Sequence, residues 1–204
     1  MLSRAVKIPV ASAAVGIGIG IFAITLVQAF WYVPQGEAQE PAHAAEAPAR
    51  ALAPADEPAR LVIPALGIDV RVEHLGMNAS GSMDAPAAFS DAGWYKYGSV
   101  PGQPGTAVIA GHLDNGLGLD GAFKRLGRIT VGDRVVVETK GGEEVAFIVS
   151  SIESYPYEKV PEEEIFTESG PSRLALITCG GSLLYAQRTY DHRLVVMAEL
   201  ARGD

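Results

Sequence analysis

The chain has a single cysteine, Cys179, among its 204 residues, so no disulfide can form within it. It also lacks any concentrated basic patch. With a formal net charge of -8, there is no electrostatic footprint for a phosphate backbone, and nucleic acid is not expected as a partner. His43, His74 and His192 have no ligand-like spacing, and Glu162 to Glu164 look like the start of a helix rather than a coordinating loop. Neither a metal nor any other cofactor is expected. Finally, charge is missing altogether between Ile8 and Val33.

That uncharged stretch is what comes first along the chain. At about 1.5 Å of rise per helical residue it exceeds the roughly 30 Å hydrocarbon core of a bilayer. Arg4 and Lys7 precede it, while the next charges are Glu37 and Glu40, which orients residues 1–7 to the cytoplasm and the rest outward. Residues 8–33 are therefore read as a retained signal anchor in the lipid bilayer of the cell membrane. The competing reading is a cleaved signal peptide ending at Val27-Gln28-Ala29. Gly16, Gly18 and Gly20 resemble part of a nucleotide-binding loop but have no preceding strand and no partner acid. Residues 34–58 are rich in Ala, Pro and Glu, with no aliphatic periodicity, and read as a tether stiffened by proline.

From residue 59 to 204 the pattern changes to short β-rich runs separated by turn signals. Strands are expected near Arg60 to Ile63, Val70 to Leu75, Thr106 to Ala110, Arg134 to Thr139, Glu144 to Ser151, Arg173 to Thr178 and Arg193 to Glu199. Seven strands at this spacing predict a mostly β fold, a barrel or sandwich. Gly132-Asp133 and Gly141-Gly142 bracket Val135-Val136-Val137 and mark a hairpin over Arg134 to Ser151. Short helical pieces are expected at Gly121 to Leu126, with Phe123 and Leu126 on one face, and after Pro161.

Outside the cytoplasm cysteines usually pair, so a lone thiol is either tolerated or used. Cys179 closes the run Leu174-Ala175-Leu176-Ile177-Thr178, His112 follows Val108-Ile109-Ala110-Gly111, and Arg193 begins the last apolar run. A sheet that gathers those strand ends would unite a thiol nucleophile, an imidazole to move its proton and a guanidinium to hold an oxyanion. That set suits acyl transfer. Taken singly each residue has a plainer role: a cysteine as a small hydrophobe, a histidine in a turn, an arginine as a solvated charge.

In the block Leu176-Ile177-Thr178-Cys179, the His112 block, Phe123 with Leu126 and Gly132-Asp133, taken in that family's order, the chain resembles the sortases, membrane-anchored cysteine transpeptidases of Gram-positive envelopes. The resemblance runs from about Leu61 to Ala198. Gly93-Trp94-Tyr95, Pro101-Gly102, Gly111-His112-Leu113-Asp114 and Cys179-Gly180-Gly181 are most similar to class F, with class E as the neighbour. The resemblance implies a closed, mainly antiparallel β-barrel with short helices. It also implies Cys179 as nucleophile, His112 as acid/base and Arg193 as catalytic arginine. The expected substrates are secreted proteins bearing a sorting signal, cut at a threonyl-glycyl bond through a thioacyl enzyme. The acceptor would be an amine of a cell-wall precursor or a pilin.

Class F members often carry Tyr-Arg-Asp-Asn where this chain has Tyr190-Asp191-His192-Arg193, which leaves Arg188 as a competitor for the arginine role. Thr178 and Trp94 are further candidates for substrate contact, and Asp114 for orienting His112. Two alternatives stand beside this reading. One is another extracytoplasmic cysteine peptidase or acyltransferase, such as an L,D-transpeptidase, which the order His, Cys, Arg disfavours. The other is a non-catalytic barrel that binds envelope ligands.

Overall fold

A computed structural model of the chain describes residues 56–79, 81–114 and 119–202. Eight strands form it: β1 (Pro58–Ile63), β2 (Ile68–Leu75), β3 (Ala92–Tyr95), β4 (Thr106–Gly111), β5 (Arg134–Thr139), β6 (Glu144–Pro156), β7 (Arg173–Leu184) and β8 (Thr189–Leu200). They close in the order β1-β2-β3-β4-β7-β8-β6-β5, with β2/β3 and β4/β7 parallel and the other pairs antiparallel. Closure leaves no free sheet edge.

Most strand starts and ends follow local chemistry. Gly142 at φ +81° turns β5 into β6, its N–H donating to the Thr139 carbonyl at 2.9 Å. Gly132 at φ +97° opens β5, and Asp133 accepts from the Thr130 N–H at 2.8 Å. Pro161 caps a single-turn helix, α1 (Glu162–Ile165), whose three glutamates lie in its first turn. At Gly121 to Leu126 the expected helix is instead a run of turns leading into a 3-10 turn at Leu126–Arg128, with Phe123 and Leu126 both fully buried. Two apolar anchors three residues apart suit a 3-10 repeat as well as an α-helical one.

Three differences from the sequence reading have physical causes. β3 is an eighth strand of only four residues, too short to show alternation, and is held by β2 on one side and β4 on the other. β7 does not end at Cys179 but runs on to Leu184. Gly181 sits at φ +76° in an irregularity between Gly180 and Leu183, which lets the β7/β8 ribbon bend and continue. At the other end, β1 begins at Pro58, and Glu57 is tied to the fold by Lys140 Nζ at 2.6 Å and His74 Nδ1 at 3.5 Å.

Strand alternation divides the apolar residues into two clusters. Leu174, Leu176, Val196 and Ala198 fill the barrel with Ile109, Phe123, Phe147 and Trp94. Ala175 and Val195 point the other way, with Val108, and pack beneath Ile165 of α1 and its neighbours Val160 and Phe166. Among the described residues no helix is long and apolar enough to cross a membrane, and the expected anchor at 8–33 and nearly all of the tether at 34–58 lie outside them.

Candidate active site

Two-residue periodicity places the three chemical residues on the outer side of the barrel wall. On β7 and β8 the register sets Ile177 against Val195 and Cys179 against Arg193. Cys179 thus continues the face of Ala175 and Ile177, and Arg193 that of Val195 and Met197. On β4 the same alternation carried past Gly111 puts His112 on the side of Val108 and Ala110. Since β4 pairs in parallel with β7, the two strands deliver His112 and Cys179 to the same end of the barrel. All three residues line one open cleft of about 470 Å³, walled also by Asp84, Tyr157, Phe166 and Thr178. A smaller cavity of about 250 Å³ near α1, lined in part by Glu153, Glu164 and Arg173, holds none of the three.

Arg193 is held by its own ribbon. One guanidinium nitrogen donates to the Tyr190 and His192 carbonyls at 3.0 and 2.9 Å, the other to Thr189 Oγ1 at 2.9 Å, and the group stands 5.7 Å from the Tyr157 ring centroid. Arg188 lies elsewhere. It occupies the exposed tip of the β7/β8 hairpin, at φ +53°.

His112 is positioned by the segments that meet at the end of β4. Its backbone carbonyl accepts from the Phe123 N–H at 2.9 Å, and Leu113 accepts from Gly121 at 2.9 Å. Both flanking glycines are sterically required. A Cβ at Gly111 would sit 2.6 Å from the Phe123 ring, and one at Gly121 would collide with the His112 carbonyl. The imidazole Nε2 lies 2.9 Å from the Pro86 carbonyl, and the Phe89 ring is 4.5 Å away between centroids.

The partly buried Cys179 is a reduced thiol, and burial pushes its pKa up; Arg193 pulls it back down, while Asp114 adds to the rise. On balance these surroundings favour the protonated thiol over the thiolate. Asp114 accepts from Tyr190 Oη at 2.7 Å and from Lys124 Nζ at 3.3 Å. That acceptor pushes the Tyr190 phenol up to about 12, so Tyr190 remains a donor throughout the physiological range.

The two candidates for substrate contact part company in the structure. Thr178 lines the cleft, but its buried hydroxyl donates to the Gly111 carbonyl at 2.8 Å, so it fastens β7 to the residue before His112. Trp94 is 1% exposed and lies in the barrel interior, its indole N–H donating to the Ser99 carbonyl at 3.0 Å. Alternation explains this: Tyr95, one residue on, points outward onto Phe166. The cleft residues Pro86 and Tyr157 were not picked out from sequence, since only the fold brings their loops to the cysteine.

A sortase-domain family model matches residues 61–201. Solved structures with the same fold include sortase C1 of GBS Pilus Island 1 (22% identity over 72% of this chain, TM-score 0.53), sortase A from Corynebacterium diphtheriae (22%, 72%, 0.55) and sortase C-1 from Actinomyces oris (22%, 71%, 0.56). The alignments cover 66%, 62% and 72% of those chains respectively, so this chain spans just under two thirds of the first two. Comparison with curated proteins finds no match. With a family model covering all eight strands but the first residues of β1, on a barrel shared with solved sortases, the chain belongs to the sortase family, a family of cysteine transpeptidases.

Proposed function

We propose that this sortase is of the class F type, anchored in the cell membrane by residues 8–33 with its barrel outside, and that it joins sorting-signal proteins to an envelope amine. Cys179 Sγ attacks the threonyl carbonyl carbon of a Leu-Pro-x-Thr-Gly-like signal. The thiol proton passes to His112, and the tetrahedral oxyanion is held by the Arg193 guanidinium. When the C–N bond breaks, His112 returns the proton to the departing glycyl amine, leaving a thioester. An incoming amine then attacks that thioester, giving up a proton through His112 to the departing thiolate, so the enzyme ends as it began. The partner set is a secreted protein with a C-terminal signal and a cell-wall precursor or pilin amine.

The observation that carries this reading is the cross-strand pairing of Cys179 with Arg193 in a cleft that His112 also lines. In that position the arginine's charge favours the thiolate and is available to an oxyanion formed beside the sulfur, which supports the reading. The motifs Gly111-His112-Leu113-Asp114 and Cys179-Gly180-Gly181 support the class, and the uncharged residues 8–33 with Arg4 and Lys7 before them support the anchor. The test is transpeptidation by the full-length protein, given a panel of Leu-Pro-x-Thr-Gly-like peptides and an amine. Cys179→Ala is expected to abolish it, and full activity in that variant would sink the assignment.

A further inference from the structure

The connection between β2 and β3 touches His112 twice, and a side chain of β2 anchors it. Glu73 accepts from two consecutive amides of this connection, Ala87 N–H to Oε2 at 3.1 Å and Ala88 N–H to Oε1 at 3.2 Å. Those amides directly follow Pro86, a buried residue whose carbonyl lies 2.9 Å from His112 Nε2. One residue further, the Phe89 ring lies against the imidazole with planes at 43°, and the Phe89 carbonyl accepts from the Ala122 N–H at 2.8 Å. Phe89 does not line the cleft, so its contact with the chemistry runs through the histidine alone.

A carbonyl oxygen can only accept a hydrogen bond, so the contact with Pro86 requires the proton of neutral His112 to sit on Nε2. We infer that Glu73, Pro86 and Phe89 act together as a positioning support for His112, fixing its ring so that Nε2 stays bonded to the β2–β3 connection and Nδ1 is the nitrogen that exchanges protons at Cys179. The inference rests on the acid/base role proposed above for His112 and names the atom that performs it. It assigns to a backbone carbonyl the orienting task that a carboxylate carries in a Ser-His-Asp triad. Glu73 acts at one remove, by holding the two amides that aim that carbonyl.

The test is the ring-nitrogen spectrum of His112 in the full-length protein labelled with ¹⁵N-histidine, recorded without substrate. The wild type is expected to show the neutral ring protonated at Nε2 and bare at Nδ1. Phe89→Leu and Glu73→Ala are expected to mix the two tautomers and to lower kcat by up to about a hundredfold with KM little changed, the scale of a misplaced catalytic group. Phe89→Tyr and Glu73→Gln, which keep the ring face and one acceptor oxygen, are expected to recover most of both signals. A wild-type ring protonated at Nδ1 overturns the inference without recourse to any variant. So do folded Phe89→Leu and Glu73→Ala proteins with unchanged spectrum and kcat. Because the spectrum needs no turnover, the result is separable from the fate of Cys179, which is read as a thioacyl mass.

Discussion

The two halves of the candidate active site are built by different means. Cys179 and Arg193 face each other because backbone hydrogen bonds set the register of two long neighbouring strands, so their pairing is a property of the ladder. His112 lies just beyond the end of β4 and is placed by packing: Phe123 at its carbonyl, Gly121 at the carbonyl of the next residue, Pro86 and Phe89 at its ring, and Thr178 at the preceding residue. A ladder tolerates many side-chain changes before it slips. A loop held by five contacts does not, so substitutions away from the chemistry should disturb the histidine more readily than the cysteine.

The largest expected effect sharpens the ladder side of this contrast. Arg193→Ala should reduce kcat by about 10²–10³, the cost of removing an oxyanion donor, whereas Arg188→Ala should leave it close to wild type. Peptide-cleavage kinetics on the two variants decide it, and a larger loss at Arg188 would break the assignment made from register.

On the packing side, Gly111→Ala must push the Phe123 ring aside. It should lower stability by about 1–3 kcal/mol, as overpacking does, with a loss of activity in whatever fraction remains folded. Thermal unfolding with parallel activity measurement checks this. An unchanged melting temperature would mean that the close approach of Phe123 is not needed. The link between the halves is Thr178. Thr178→Val keeps the β-branched shape and deletes only the hydroxyl that reaches the Gly111 carbonyl, for an expected loss of about 1 kcal/mol by denaturant titration. Activity should fall further than that loss of folded protein accounts for, because the His112 segment is released.

The smallest effects are in titration. Burial holds the Cys179 thiol above the ordinary thiol range near ~8.5, so alkylation by iodoacetamide, which can report only this one cysteine, should rise with pH through a midpoint above that range. Arg193 favours the thiolate, so Arg193→Ala should move the midpoint further up. Asp114 opposes it, so Asp114→Asn should move it down. Reversed signs would mean that the charges around the sulfur are arranged otherwise.

The same contrast explains what could be read from sequence. The β5/β6 hairpin was legible because Gly132, Asp133 and Gly142 mark its turns locally, and Cys179 and His112 were legible because short motifs surround them. β3 was not, since four residues carry no period and its pairing is with strands distant in sequence. Aromatic character alone does not distinguish Trp94 from Tyr95 as a groove wall, whereas alternation turns Trp94 inward and Tyr95 outward, a choice that only the register makes. Glu73, Pro86 and Phe89 carry no motif. Their relation to His112 exists only once β2, the connection after it and the residues following β4 have come together.

The central claim is that Cys179 is the nucleophile of a transpeptidase cleft. Intact-mass spectrometry of the full-length protein incubated with a Leu-Pro-x-Thr-Gly-like peptide, without added amine, tests it most directly. The wild type should gain the mass of the acyl fragment at Cys179, an adduct that an amine then removes as ligated product, and Cys179→Ala should gain none. Cleavage of the peptide by Cys179→Ala, or an acyl adduct at any other residue, would contradict the account.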